Sequence, residues 1–358
     1  MSRYRLCPTP EQEKILLRHC SDARYVWNLC VEQESWWRRD RGKMPGWAER
    51  CRQLTEARAD NPWLAEGFRI VAVKPSHVRR LNRNHAAVLV PKAGWVRFRW
   101  SRAVPPDAKS FRVTRDRSGR WHVAFAVIPE PVHGPGTGEV VGIDRGVAVS
   151  AALSTGEMLT APGLSAREAA RLRRLERKLA KAKRGSNRRG EVKTAIAKIK
   201  AREAGRRKDW TEKTSTGIAR RFDVIRVEDL NIGNMTRSAK GTVEAPGRNV
   251  AAKAALNRGI SRSGWGVLVQ RLEDKAPGRV ERVHPAYTSQ RGSACGHVAR
   301  GNRESQAAFL CTACGFACNA DVNAARNIAA GHAVKARRGD GTGRPLTREP
   351  QLLASLGA

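Results

Sequence analysis

A chain of 358 residues with 68 Lys and Arg against 33 Asp and Glu carries a formal charge of +35, far beyond what solubility requires, and its expected partner is a polyanion. No apolar run approaches the ~20 residues of a membrane-spanning helix, and Met1-Ser2-Arg3-Tyr4-Arg5 lacks an apolar signal segment; both speak against a membrane protein and for a soluble, cytoplasmic chain. The length allows one large core or two to three smaller ones.

Residues 1–8 are predicted as a short strand. Pro10 and Glu11 then open a helix that sets Ile15, Leu16, Cys20, Ala23, Val26, Trp27 and Cys30 at helical spacing, a face expected to be core. Residues 31–65 mix Trp36, Trp37, Trp47 and Trp63 with Arg38, Arg39, Arg41 and Lys43. Such a mixture suits base stacking with phosphate contact, and equally suits buried indoles beside solvated guanidinium groups. Short β-like runs follow at 68–73, 86–90, 95–100, 110–115 and 121–128. Within them Val96-Arg97-Phe98-Arg99-Trp100 alternates with period two, so a small barrel would present Arg97 and Arg99 to a nucleic-acid backbone. The Pro- and Gly-rich stretch 131–138 reads as a linker.

Beyond it, Val140-Val141-Gly142-Ile143-Asp144 is a predicted buried strand ending in an acid, with 148–153 as its hairpin partner. Residues 165–208 are the most basic block. Leu172, Leu175, Leu179 and Ala182 form one apolar stripe and Val192, Ile196 and Ile199 another, which predicts two antiparallel helices on either side of a Gly185-Ser186-Asn187 turn. Their other faces carry Arg171, Arg174, Lys178, Lys181, Arg184, Arg188 and Arg189, and charge of one sign favours nucleic acid over a merely solvated surface. A helix through Trp210, Ile218 and Phe222 feeds a strand that closes in Glu228. Residues 229–264, rich in glycine and positive charge with weak periodicity, read as a lid or a plain surface loop. A helix from Trp265, a strand at 280–283 and a cysteine cluster come next, and Asp321 opens a last helix before a tail from 335.

Three acids, on two strand ends and a helix start, are the hard oxygen ligands that a pair of Mg2+ ions takes, and such a pair serves phosphodiester hydrolysis without a covalent nucleophile. No Gly-x-Ser-x-Gly elbow, His-Glu-x-x-His motif or phosphate loop competes with this reading. Of eight cysteines, Cys7, Cys20, Cys30 and Cys51 show no paired spacing, whereas Cys295, Cys311, Cys314 and Cys318 cluster. Cys311-Thr312-Ala313-Cys314-Gly315 is an intact zinc knuckle; at the first knuckle Cys295-Gly296 is present, but Gly292 stands where its partner cysteine is expected. Three thiolates therefore point to one Zn2+, with Cys318, His297 or a water as the fourth ligand.

Gly142-Ile143-Asp144-Arg145-Gly146-Val147, Val227-Glu228-Asp229-Leu230, Thr288-Ser289-Gln290 with the knuckles, and Cys318-Asn319-Ala320-Asp321-Val322-Asn323 together resemble the TnpB family of transposon-encoded, RNA-guided DNA endonucleases. The resemblance implies an α/β plus β-barrel, multidomain chain. Its parts would be a wedge barrel (1–8 and 66–130), an abbreviated helical recognition lobe (9–65), an RNase H-like RuvC nuclease (139–286 and 319–334) and a zinc-ribbon insertion (287–318). It also implies Asp144, Glu228 and Asp321 as the metal-binding acids, and as partners a guide RNA and target DNA, double- and single-stranded, read next to a short flanking motif. The setting would be a prokaryotic cytoplasm, with the protein on the nucleoid when bound to DNA. A guided binding protein with impaired cutting is the alternative.

Overall fold

The computed structural model describes residues 2–36, 45–61, 77–242 and 244–331. The strand expected at 68–73, Trp37, Arg38, Arg39, Arg41, Lys43, Trp63 and the tail from 335 lie outside them. Two compact units form, Met1–Pro129 with Leu175–Lys198, and Glu130–Arg174 with the chain from Ile199 onward.

The first unit is built on a six-stranded antiparallel sheet in the order β2-β3-β4-β1-β6-β5: β1 (Ser2–Leu6), β2 (Val78–Arg80), β3 (His85–Val90), β4 (Gly94–Arg99), β5 (Ser110–Arg115) and β6 (Trp121–Ala126). Along β4, Val96 and Phe98 are buried while Arg97 and Arg99 are exposed, the alternation read from the sequence. The core gathers Tyr4, Leu16, Phe98, Phe111 and Phe125, and the Tyr4 ring meets Phe98 and Phe125 edge-on at 5.4 and 5.7 Å.

The expected barrel does not close among the described residues. Its outer strands β2 and β5 do not pair with each other, so the sheet is a half-barrel. Strand β2 has only three residues, and the Arg79 and Arg80 guanidinium groups stack over Trp95 and Trp100 at 4.2 and 5.6 Å, which blunts that edge.

Helix α1 (Pro10–Trp36) starts with a reciprocal cap: the Thr9 N–H donates to Gln12 Oε1 at 3.1 Å and the Gln12 N–H to Thr9 Oγ1 at 3.3 Å. Gln12 Nε2 also donates to the carbonyls of Ala93 and Trp95, which ties the helix start to β4. The predicted core face holds through Leu16 and Cys20 and then fails, since Trp27 is 69% exposed; Trp36, beyond that face, is 66% exposed. A 27-residue helix spans ~40 Å and outruns the sheet that buries its first turns. In α2 (Trp47–Asp60), Trp47 is 83% exposed, so the buried-indole reading fails for Trp36 and Trp47.

The second unit has a five-stranded mixed sheet, β11-β10-β7-β8-β9. Strand β7 (Val140–Asp144) lies at its centre, parallel to β10 (Val224–Glu228), which is parallel to β11 (Val280–Val283). On the other side β8 (Ala151–Leu153) and β9 (Met158–Leu159) run antiparallel. Val141, Ile143, Leu153, Ile225, Val227, Leu268 and Leu272 fill its core.

Helix α3 (Ala166–Lys181) opens on a Ser165–Glu168 capping box, and α4 (Asn187–Arg221) follows after the predicted turn. Leu172, Val192, Ile196 and Ile199 are buried as expected. Arg171, Arg174, Lys178, Lys181, Arg184 and Arg188 are exposed, whereas Arg189 turns back to cap the Leu179 and Ala182 carbonyls at 2.6 and 2.9 Å. The stretch expected to be irregular, 229–264, contains α5 (Ile232–Met235) and α6 (Val250–Ser263). Gly264, at φ 70°, ends α6 and starts α7 (Trp265–Lys275). Helix α8 (Ala320–Ala329) lies against β7.

Candidate functional site

Parallel pairing puts Val227 opposite Ile143, so Asp144 and Glu228 leave neighbouring strands side by side at their carboxyl ends, the customary place for a site in a sheet of this kind. Asp321 comes to the same edge from α8. A Cβ on Gly142 would stand 2.0 Å from the Ala325 carbonyl oxygen and 2.3 Å from the Ala329 nitrogen, so only glycine lets helix and strand approach this closely. The start of α8 is fixed by Asn319, whose Oδ1 accepts from the N–H groups of Asp321 and Val322 at 2.9 and 3.2 Å.

Asp144 feels both of the other acids. Burial, and then repulsion from Glu228 and Asp321, push the Asp144 carboxyl up to about 7. Burial raises Glu228, against the Thr288 hydroxyl that donates to its Oε1 at 2.6 Å and the nearby Arg145. Burial raises Asp321 too, against Arg303 at 3.5 Å. The result is an electrostatically strained cluster of hard oxygen donors inside a cationic chain, the condition that a divalent ion relieves.

Several supporting residues had no role assigned from the sequence. Arg145 is buried, donates through Nη2 to the Glu228 carbonyl and leaves its Nε without a hydrogen bond. Asn323 and Asn327 were traceable in principle, because they stand at i, i+4 on the buried, alanine-rich face of the helix, where unbonded amides are costly. Asn323 donates to the Arg291 carbonyl and accepts from the Ser293 N–H, and Asn327 donates to the carbonyls of Thr288 and Arg291. These bonds clamp the 288–293 turn onto α8 and so aim Thr288 at Glu228.

Of the cysteine cluster, the Sγ atoms of Cys295, Cys311 and Cys314 all lie within 4.8 Å of one another, with Cys295 and Cys311 at 3.4 Å. Thiolates at this spacing suit Zn2+, and N–H groups of Cys314 and Ala313 aimed at the Cys311 sulfur hold its thiol below the usual range. Neither Cys318 nor His297 joins the group. Cys318 packs beside Phe309 in the small β12 (Ala308–Leu310) and β13 (Ala317–Asn319) ladder, and burial raises its thiol. Among the described residues this is the one such group, so the carboxylate oxygens are spread more widely than the sulfurs.

Residues 122–239 match a family described as "Probable transposase", 265–328 match "Cas12f1-like, TNB domain", and 2–43 match a "Helix-turn-helix domain". The chain is 34% identical over 395 aligned residues to "Putative RNA-guided DNA endonuclease InsQ" of Escherichia coli (strain K12), covering 97% of this chain and 96% of that one. It is 33% identical to a "Putative RNA-guided DNA endonuclease" of Streptomyces pristinaespiralis, covering 77% and 68%. A solved Cas12f1–sgRNA–target DNA complex aligns with a TM-score of 0.42 at 15% identity, covering 73% of this chain and 58% of that one.

Proposed function

This chain belongs to the TnpB family, and from that premise we propose that it is an RNA-guided, Mg2+-dependent endonuclease that hydrolyses target DNA beside a short flanking motif. The observation that carries the reading is the meeting of Asp144, Glu228 and Asp321 at one sheet edge, with Asp144 driven up to about 7 by burial and its two neighbours. The strand order of the second unit, counted from β7, is three-two-one-four-five with the second strand antiparallel, which supports an RNase H-like nuclease domain. The three acids would hold the ions. Mg2+ held there would supply charge stabilisation to a phosphodiester displacement.

The chain's own groups set the stage for that chemistry. Thr288 fixes the orientation of Glu228, Arg145 holds the β10 end, and Asn319 locks the Asp321 helix start. The exposed arginines and lysines of α3 and α4, with Arg97 and Arg99, would follow the backbones of guide RNA and target DNA. The knuckles would carry one Zn2+ on Cys295, Cys311 and Cys314.

Binding and cutting of a guide-matched DNA, compared in the native protein and Asp144→Ala, test the proposal. Retained binding with cleavage lost only in the variant is expected. A native protein as inert as the variant, with binding intact, would instead establish the guided binding protein that the missing knuckle cysteine at Gly292 favours.

A further inference from the structure

The two cysteine knuckles share one backbone design. At the second, the Cys311 N–H donates to the Phe316 carbonyl at 2.8 Å, the Gly315 N–H returns to the Cys311 carbonyl at 2.9 Å, and Gly315 takes φ 71°. At the first, the Gly292 N–H donates to the His297 carbonyl at 2.9 Å, the Gly296 N–H returns to the Gly292 carbonyl at 2.8 Å, and Gly296 takes φ 78°. Position for position Gly292 corresponds to Cys311, and only its thiol is missing.

What remains faces the same sulfurs. A Cβ placed on Gly292 would lie 3.3 Å from Cys311 Sγ and 3.4 Å from Cys295 Sγ, and the glycine's own φ is not in the left-handed region. The knuckles are tied together by Asn302, which is fully buried. Its Nδ2 donates to the Gln290 and His297 carbonyls at 2.9 and 3.1 Å, and its Oδ1 accepts from the Thr312 N–H and hydroxyl, both at 2.9 Å. Every hydrogen-bonding site of that amide is used. The observed 3.4 Å between Cys295 and Cys311 is near the ~3.8 Å edge of a tetrahedron with ~2.3 Å metal–sulfur bonds, so the ligand set is largely preformed. Gly292 and Cys311 are buried whereas Cys295 and Cys314 are exposed, so a small solute would reach the sulfurs past Cys295 and Cys314.

We propose that the ribbon binds one Zn2+ through Cys295, Cys311 and Cys314 and leaves the fourth coordination position, on the Gly292 side, to an exchangeable ligand from solution. Water fills it at rest, and small thiols or imidazoles displace the water. The proposal rests on the ribbon reading above and adds to it an open vertex, the arrangement otherwise found at catalytic rather than structural zinc sites. Neither Cys318, committed to the Phe309 cluster, nor the exposed His297 ring closes the vertex.

Cobalt(II) substitution reads the coordination directly. The full chain, reduced and stripped of metal, is titrated with Co2+, and its visible spectrum is followed as 2-mercaptoethanol or imidazole is added. The native spectrum is expected to show thiolate–cobalt absorption that shifts on addition of either probe. Gly292→Cys should give a four-thiolate spectrum that neither probe moves, and should hold Zn2+ at least ~10-fold more tightly against a chelator. In that variant the Cys311 sulfur need yield only a few tenths of an ångström. A native spectrum indifferent to both probes overturns the open vertex, because a protein group then fills it. Cobalt binding by Gly292→Cys but not by the native chain overturns the three-thiolate site while leaving the ribbon reading intact. Binding by neither protein defeats the ribbon reading itself.

Discussion

Asp144 stands where strand register, burial and like charge meet, and its titration makes the cluster measurable without any assay of cutting. Its carboxyl titrates near 7 in the fold against an ordinary value of 3.8, so the fold favours the protonated form. For this group, metal-free stability is fully present below the unfolded value, falls as pH rises between the two values, and is lost above about 7. Asp144→Asn removes the buried anion. In the absence of metal it should therefore melt above the native protein at pH 8, by an amount on the order of 2–4 kcal/mol, and by less at pH 5. Mg2+ should narrow or reverse that gap by stabilising the native protein alone. Calorimetric melting at the two pH values checks this, and an equal effect of the substitution at both would show that Asp144 titrates as an ordinary aspartate. The placing of the three acids on two strand ends and a helix start was legible in the sequence. Arg145 and Thr288 stood in the quoted motifs without a role, because what they bond is brought to them only by tertiary contact.

At the scale of elements, the site depends on β7 and α8 lying closer than two side chains would allow, and Gly142 is the residue that permits it. Gly142→Ala should force them apart, costing on the order of 3 kcal/mol or more and abolishing cleavage. Gly163→Ala, where an added Cβ meets nothing within 4 Å, is the control for denaturation in urea, and equal midpoints for the two variants would remove Gly142 from this role. Strands were the most legible elements, β5 falling on its expected residues, because period-two alternation survives wherever one face is buried. Helix α6 was missed because the surrounding glycines hid a continuous Val250–Ser263 run. The far half of α1 was misjudged because helical spacing marks an apolar stripe without saying what covers it, and Trp27 is exposed.

At the scale of the molecule, a chain of charge +35 keeps an acidic pocket in its second unit, and that contrast is the physical core of the account. That charge predicts a polyanionic partner from composition alone. The order of the five-stranded sheet, the open half-barrel and the grouping of Leu175–Lys198 with the first unit depend on packing that no local pattern records. The most direct test is a calorimetric titration of Mn2+, standing in for Mg2+, into the native protein and into Asp144→Asn, Glu228→Gln and Asp321→Asn. Shared ligation by all three acids predicts binding to the native protein and a loss of at least ~10-fold in affinity in every variant. Native affinity in any one of the three would contradict a common site.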